Sequence, residues 1–293
     1  MSSIAVTTKS VTLSGKRIVH WIGSDVRLTV AVVILTCMVF CAIWGPRLAP
    51  YNPELPDQAV RLSAPSRHHL FGADVNGFDV FSRVISAPRL DLLIPAVSVS
   101  VSLAVGSFLG LLGGFFAGRR SVSGWLAELL TRLMDIIQSF PVFIVALVLV
   151  GVAGGGTQNV IIILAVLFTP IFFRYVRGQV LSERERLFIE AGVAIGNSRW
   201  RLLALYVLPN SFTPALVQAS PMMGFAILLT AGLSFVGAGV RPPTPEWGAM
   251  IAAGAEQMVT GQWWASVFPG LAIGLTVFAL AIVGEALRVR LEE

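Results

Sequence analysis

Long apolar runs dominate the pattern of hydrophobic and polar positions along the chain. The hydrocarbon core of a bilayer requires about 20 helical residues. Five stretches contain no Asp, Glu, Lys or Arg, namely residues 28–46, 92–118, 136–173, 202–240 and 257–284. The first, second and fifth stretches each predict one membrane-spanning helix. The third is too long for one span and too short for two full ones, and the fourth is also overlong.

Breaks inside the two longer stretches determine the remaining spans. Residues 154–159 read Gly-Gly-Gly-Thr-Gln-Asn, a turn-forming cluster that divides the third stretch into two helices. The first half of the fourth stretch contains three prolines, Pro209, Pro214 and Pro221. We interpret that half as a surface approach up to about Thr213, followed by one span to about Gly237. The pattern therefore predicts an all-α polytopic membrane protein with six transmembrane helices.

The basic residues predict the orientation of these helices. With the N-terminus inside, 15 Lys and Arg residues fall on the cytoplasmic side and 6 on the outer side. Cytoplasmic loops carry the excess of Lys and Arg, so we expect both termini in the cytoplasm. The first apolar run follows 27 residues of polar lead and no small-x-small cleavage site follows it, which favours an uncleaved helix over a secretory signal.

The same features predict the division of the chain. It consists of a cytoplasmic lead (1–27), a first transmembrane helix (28–48), an outer loop (49–91), a core of five helices (92–288) with a cytoplasmic loop at 178–209, and a cytoplasmic tail (289–293).

Composition agrees with the membrane class. Only 13% of the residues are charged and the mean hydropathy is +0.80, whereas soluble proteins carry about a quarter charged residues. The net charge of +5 does not indicate nucleic-acid binding, because no basic stripe alternates with exposed aromatic residues. Cys37 and Cys41 lie four apart in the first run, and we interpret them as small apolar packing residues.

The loop at 178–209 carries the most informative local pattern. Ser182 and Glu185 have the spacing of a capping box, which predicts a helix start. Apolar residues then recur at helical spacing up to Ile195, and Gly196 with the following Asn predicts a helix stop. These signals predict a short amphipathic helix over 183–195. Ser198 is a candidate N-cap of a second helix, which Pro209 would end or bend. Such a helix either docks in a partner's groove or rests on lipid headgroups.

The chain resembles the membrane subunits of ABC importers, and the resemblance extends over roughly residues 28 to 290. The loop signature is carried by Glu190, Ala191, Gly192, Gly196, Leu208 and Pro209. Further segments are similar to the C-type permeases of the dipeptide/oligopeptide class. They are Gly72-Ala73-Asp74, residues 79–83, Arg132-Leu133-Met134-Asp135 with Phe140-Pro141, residues 231–235, residues 242–248 and residues 268–273.

That resemblance implies a type I ABC importer transmembrane fold and a permease for peptides. It implies a location in the bacterial inner plasma membrane and three kinds of partner besides membrane lipid: a second permease, two cytoplasmic ATPase subunits or domains, and an outer solute-binding protein. The helix at 183–195 would lie in an ATPase groove, and the six loop-signature residues would couple ATP hydrolysis to transport. Relatives in some branches carry nickel, opines or sugars instead of peptides.

The chain departs from the family pattern at positions near the expected transport path. The family usually has Arg where Phe78 stands, and an acidic residue where Thr230 stands. Glu285 keeps a family acidic residue, but the Asn a few positions earlier is missing. These departures leave the identity of the cargo more open than the fold.

The second apolar run contains a ridge of small residues at intervals of four: Ser98, Ser102, Gly106, Gly110, Gly114 and Gly118. Such ridges allow helix backbones to approach closely in a membrane, so we expect helix packing here rather than contact with cargo. The third span begins with Glu128, Arg132 and Asp135 on one helix face, where Arg132 can pair with both acids.

No enzyme signature is found in the sequence. There is no HExxH motif, the Gly232–Val236 segment lacks the closing glycine of a nucleophile elbow, and neither lysine lies in a phosphate-binding loop. His68 and His69 are adjacent in the polar outer loop, where histidines are more often exposed to solvent than bound to a metal. We therefore interpret both as exposed side chains. We therefore expect no catalytic residues, no cofactor, no metal and no nucleic-acid partner. The alternatives left open are an ion-coupled secondary transporter and a membrane-embedded enzyme.

Overall fold

The computed structural model describes residues 25–118, 120–186, 195–202 and 207–292, and these contain helices and connecting segments but no β-strand. The predicted all-α class is confirmed. Short 3₁₀ helices lie at Gln58–Val60 and Glu256–Thr260. The α-helices are α1 Val26–Leu48, α2 Val80–Ser86, α3 Pro88–Phe115, α4 Val122–Gln138, α5 Val142–Ala153, α6 Thr157–Glu183, α7 Arg199–Leu202, α8 Leu208–Phe235, α9 Trp247–Ala255 and α10 Trp264–Glu292.

Five helical segments of the described chain are long and apolar enough to cross a membrane. They are α1, the α2–α3 segment, α6, α8 and α10. A sixth segment is formed by α4 and α5 together, but these two helices meet at 89°. The predicted total of six spans is therefore reached when the bent pair counts as one.

The bend between α4 and α5 corrects the prediction of a regular helix over this part of the third apolar stretch. Pro141 has no backbone N–H to donate, and it disfavours helical geometry at Phe140, so the helix ends before them. The 12 residues of α5 extend about 18 Å, which is less than the roughly 30 Å of a hydrocarbon core. The third span is therefore a broken one.

The glycine cluster forms the predicted tight connection between α5 and α6. Gly154 and Gly156 have φ angles of 86° and 136°, a region that favours glycine. The side-chain amide of Asn159 donates to the carbonyls of Ala153 and Gly154 at 2.9 and 2.8 Å. These bonds fix the end of α5 against the start of α6.

The first half of the fourth apolar stretch does not end in a separate surface segment at Thr213, as predicted. Instead, helix α8 runs without a break from Leu208 to Phe235. Pro209 begins this helix instead of ending one, in the first turn, where no N–H is needed. Pro214 and Pro221 lie inside the helix. Each removes one backbone hydrogen bond, a loss that membrane helices tolerate when neighbouring helices and side chains satisfy the freed groups.

The most extensive helix contact joins α3 and α6. The two helices run in the same direction, because positions on α3 face positions on α6 that lie about 63 residues later. The Ser98 hydroxyl donates to the Ile161 carbonyl at 3.2 Å, and the Ser102 hydroxyl donates to the Ala165 carbonyl at 2.9 Å. Small residues and interhelical hydrogen bonds stabilise such pairs in lipid.

Glycines continue this contact towards the end of α3. A Cβ atom on Gly106 would lie 2.5 Å from the Thr169 carbonyl oxygen, and one on Gly110 would lie 2.6 Å from the Phe173 carbonyl oxygen. At Gly114 the nearest atom would be Cβ of Val180, at 2.7 Å. Gly118 differs from the other members of the ridge: it follows the helix end, has a φ of 73°, and has nothing within 4 Å of its Cβ position.

Two apolar clusters surround this helix pair. One lies among α3, α5, α6 and α8, and its fully buried members include Phe168 and Phe172. The other joins α2, α8, α9 and α10 around Trp247. Helix α1 packs along α10 and α3 at the edge of the helix bundle. Cys37 on this helix is exposed, whereas we predicted a packed side chain.

Candidate functional site

The segment between α6 and α8 contains the predicted loop signature, and its beginning differs from the prediction. Ser182 and Glu183 lie in the last turn of α6, and Arg184 is the C-cap residue. The capping-box interpretation of Ser182 is therefore wrong. Helix α6 continues because Val176, Val180 and Glu183 extend its buried stripe, which outweighs the local start signal.

Of the six loop-signature residues, Glu190, Ala191 and Gly192 lie outside the described residues, as does most of the predicted helix over 183–195. Leu208 and Pro209 begin α8. Gly196 lies in a turn with a φ of 87°, and no atom of the described residues lies within 4 Å of its Cβ position. We call the end of the bundle from which this segment extends the coupling end.

Ser198 caps the short helix α7, as its position in the sequence predicts. Its hydroxyl accepts the Arg201 amide at 3.2 Å, and its carbonyl accepts the Leu202 amide at 3.1 Å. The chain therefore turns at Gly196 and re-enters a helix before α8 begins.

A polar cavity of about 730 Å³ opens at the coupling end, between α6, α8 and α10. Its lining includes Gln179, Gln218 and Glu183. The Glu183 carboxylate, whose side chain is only 4% exposed, forms an ion pair of 2.7 Å with Arg186. Polar groups therefore surround the point at which the chain leaves α6.

The ion pairs near α4 differ in part from the prediction. Arg132 and Glu128 pair at 3.0 Å on one face of α4. Asp135 pairs with Arg174 of α6 at 2.7 Å instead of with Arg132. The packing of α4 against α6 brings the Arg174 guanidinium to this carboxylate, a contact that spacing along one helix does not reveal.

Buried charged groups form a second polar site at the opposite end of α3. We call it the polar cap, and it consists of residues 49–87 and 241–247. The Arg83 guanidinium is largely buried and donates to the carbonyls of Pro53 and Pro243 at 2.8 and 3.0 Å. It also lies 4.3 Å from the centre of the Phe78 ring, a cation–π distance. Arg83 thereby joins the connecting segment that contains Pro53 to the one that contains Pro243, a residue 160 positions after Arg83.

Two of the departures from the family pattern have local structural roles. Phe78, at a position where the family usually has Arg, supplies the ring against which Arg83 packs. Thr230 is 1% exposed, and its hydroxyl donates to the Ala226 carbonyl one turn earlier in α8 at 2.9 Å.

His69 is half-buried, which corrects the expectation that both adjacent histidines are exposed. Its Nδ1 atom lies 2.8 Å from the Asp79 carboxylate, and its ring stacks on Tyr51 with centres 4.6 Å apart. Asp79 also caps α2 by accepting the Ser82 amide at 2.8 Å. These contacts give His69 a structural role, while His68 is exposed.

Two further buried acids join the polar cap to α3. Asp91, in the first turn of α3, accepts the Trp247 amide at 3.1 Å. Glu246 is fully buried and caps α9 by accepting the amides of Gly248 and Ala249 at 3.0 and 2.8 Å. Sequence reasoning did not select either acid as a site residue. The only signal for Asp91 in the sequence was a single acid directly before a long uncharged stretch.

Burial raises the pKa of the Glu246 carboxyl above its ordinary value of 4.5, although contacts with Ala249, Gly248, Ser234 and Asp91 act in the opposite direction. The folded state therefore favours protonated Glu246. A carboxyl with a raised pKa stabilises the fold fully below its ordinary pKa, and this stabilisation is lost as the pH rises through the raised value.

We therefore expect ionisation of Glu246 to lower the melting temperature of the purified protein as the pH rises above about 4.5. The Glu246→Gln variant, which cannot ionise, should show a flatter profile when melting is followed by tryptophan fluorescence. Glu256→Gln, at an exposed position after α9, is the matched control and should keep the wild-type slope. An unchanged slope in Glu246→Gln would show that other groups cause the pH dependence.

The comparison with protein families matches residues 110–293 to the binding-protein-dependent transport system inner membrane component family. The chain belongs to this family. Family membership agrees with the helical spans and with the predicted multi-pass inner-membrane class. The match covers α4 to α10 and the segment between α6 and α8.

Relatives extend the similarity to nearly the whole chain. The chain is 36% identical to a probable D,D-dipeptide transport system permease protein of Escherichia coli, over 96% of this chain and 92% of that protein. It is 38% identical to a di/tripeptide permease of Pseudomonas aeruginosa, over 87% and 84% of the two chains. It is 35% identical to a glutathione permease of Pectobacterium atrosepticum, over 86% and 81%.

A solved structure shows the same fold. A chain of the MetNI methionine ABC transporter, in inward-facing conformations, matches with a TM-score of 0.55 and 19% identity. The match covers 71% of this family member and 95% of that chain. The type I ABC importer transmembrane fold, predicted from the loop signature, is confirmed.

Proposed function

We propose that this permease forms half of the translocation pathway of an ATP-driven importer for peptides. The observation that carries the proposal is 35–38% identity, over 86% or more of the chain, to permeases named for dipeptides, di/tripeptides and glutathione. The partners are a second permease, two ATPase subunits or domains, and an outer solute-binding protein. ATP is hydrolysed by the partner subunits, since this sequence has no phosphate-binding loop.

The coupling end is the proposed contact with the ATPase. Glu190, Ala191, Gly192 and Gly196 lie in the segment between α6 and α8, and Leu208 with Pro209 begins α8. Closure of the nucleotide sites would move this segment, and the spans would tilt between inward-open and outward-open states. Such coupling requires an element with two arrangements, which nucleotide binding favours unequally.

In this proposal the coupling end and both termini face the cytoplasm, while the polar cap faces outward and receives the binding protein. The distribution of 15 basic residues against 6 supports this orientation. The polar cap lies at the start of α3 and the coupling end at its finish, so the two proposed partner contacts lie at opposite ends of one span.

An ion-coupled mechanism is not favoured by the buried acids. Asp91 lies in the first turn of α3, whereas coupling ions bind near the bilayer midplane in such transporters. Asp91 and Glu246 also accept backbone amides that hold α9 in place. Both acids therefore have structural hydrogen-bond partners.

Uptake by a deletion strain with and without the plasmid-borne chain tests the proposal. We expect accumulation of radiolabelled alanyl-alanine or glutathione to require the chain and to stop when arsenate depletes ATP. A protonophore applied with ATP maintained should leave uptake intact. Uptake that follows the proton gradient would contradict the proposal, and uptake of neither peptide would contradict the cargo assignment.

Gly196 supplies a second test of the coupling end. Its φ of 87° costs an ordinary L-residue roughly 1–2 kcal/mol, and a β-branched side chain is especially unsuited to it. We expect Gly196→Val to reduce uptake while membrane levels stay normal. Gly196→Asn is the matched control, because Asn adopts this conformation more readily. Equal uptake by the two variants would show that the turn at Gly196 does not matter.

A further inference from the structure

Arg184 lies at the point where α6 ends and the segment between α6 and α8 begins. We call this segment the coupling segment. It is the C-cap residue of α6, and its amide donates to the Val180 carbonyl at 3.0 Å. Its Nη1 atom donates to the carbonyls of Gly114 and Ala117 at 3.1 and 2.8 Å. One guanidinium therefore contacts both the last turn of α3 and the residues that follow it.

The chemistry of a helix end favours this contact. Carbonyl groups in the last turn have no intrahelical donors, and the helix dipole gives this end a partial negative charge. A guanidinium satisfies both conditions, since it supplies several donors and keeps its positive charge. The bonds to Gly114 and Ala117 thus close the carboxyl end of α3 with a group from α6.

Arg184 also lies next to the last of the close glycine contacts between the two helices. A Cβ atom on Gly114 would lie only 2.7 Å from Cβ of Val180, which is one turn before Arg184. The neighbouring Arg186 forms a local pair with Glu183 at 2.7 Å instead. Of these two arginines, Arg184 is the one that bonds to α3.

We propose that Arg184 is a positioning residue, which joins α3 to the start of the coupling segment so that α3 and α6 move as one unit. The inference rests on the proposed function, since it assigns Arg184 to the transmission of movement from the ATPase. Displacement of the segment would then reach α3 through two hydrogen bonds and the glycine contact. Because Asp91 in the first turn of α3 accepts the Trp247 amide, the same movement would reach the polar cap.

The test uses the complete complex, which is purified by an affinity tag on this chain and reconstituted in proteoliposomes with its outer binding protein. Alanyl-alanine uptake and ATP hydrolysis are measured together, and their ratio is compared among Arg184→Lys, Arg184→Gln and Arg184→Met. We expect the ratio to fall at least about fivefold in Arg184→Met, the lower end of typical coupling energies. Arg184→Lys, which keeps the charge and a donor, should retain the most activity. The ratio is taken per assembled complex, so a low yield does not affect it.

Arg132→Met is the matched control, since Arg132 is exposed and, within the part of the chain that the structure describes, pairs with Glu128 on the same helix. It should keep the wild-type ratio. A purely structural role for Arg184 would lower the yield and the melting temperature while the ratio stays at the wild-type value, and that result would overturn the inference. Absence of any ATPase from the wild-type complex would overturn the proposed function, and this inference with it.

Discussion

Replacing Gly110 by Leu should prevent the α3–α6 pair from forming. A Cβ atom at this position would lie 2.6 Å from the Phe173 carbonyl oxygen and 3.1 Å from Cβ of Val176. The nearest atom belongs to the backbone of α6, so relief requires the helices to separate. Overpacking typically costs about 1–3 kcal/mol, and we expect the upper end of that range or more. The folded fraction, measured by size-exclusion chromatography of a fluorescent fusion, should be largely lost.

Gly178→Leu is the control for this substitution. Gly178 lies on α6, and no atom lies within 4 Å of its Cβ position. The same side chain should therefore be accommodated there with a nearly wild-type elution profile. Gly110→Ala should lie between the two, since its added methyl group makes the same close contact with less volume. A normal profile for Gly110→Leu would contradict the close approach of α3 and α6.

Charge reversal at Glu190 should abolish transport while the chain still inserts into the membrane. In the proposed function this residue lies in the ATPase groove, where a positive charge in place of a negative one would disturb docking. We expect peptide uptake by Glu190→Lys to fall at least roughly tenfold, which corresponds to about 1.4 kcal/mol. ATP hydrolysis by the complex should continue, because the nucleotide sites lie in other subunits.

Glu185→Lys is the matched control, because Glu185 is exposed in the turn after α6 and lies outside the loop signature. It places the same charge reversal five residues earlier and should leave uptake near the wild-type level. Normal uptake by Glu190→Lys at wild-type membrane levels would contradict the coupling role. Loss of uptake in both variants would indicate a general charge effect of the segment instead of a specific contact.

The polar cap and the coupling end differ in how far the sequence could predict them. The residues proposed for coupling were selected by resemblance to the loop signature, whereas local spacing predicted the Ser198 cap that the structure shows. The polar cap depends on contacts such as that of Arg83 with the Pro243 carbonyl, 160 residues away. The spacing of residues along the chain does not predict such a long-range contact. Sequence reasoning therefore treated the two connecting segments separately.

Tertiary packing also changed two local predictions. The start signal at Ser182 was overruled because α6 continues its buried stripe to Glu183. The pairing of Arg132 with Asp135 was replaced by an interhelical pair with Arg174. In both places a neighbouring helix supplied a contact that the local pattern could not include.

The sequence by itself determined the membrane class, the apolar stretches that become spans, and the ridge of small residues from Ser98 to Gly114. These features follow from the free energy of burying apolar groups and from helical periodicity, both of which act over a few turns. The tertiary structure alone decided that the ridge faces α6, that α4 and α5 meet at 89°, and that Asp91 accepts the Trp247 amide. Those outcomes depend on which helices pack together. Packing in turn depends on whether the surfaces of helices that are distant in sequence have complementary shapes.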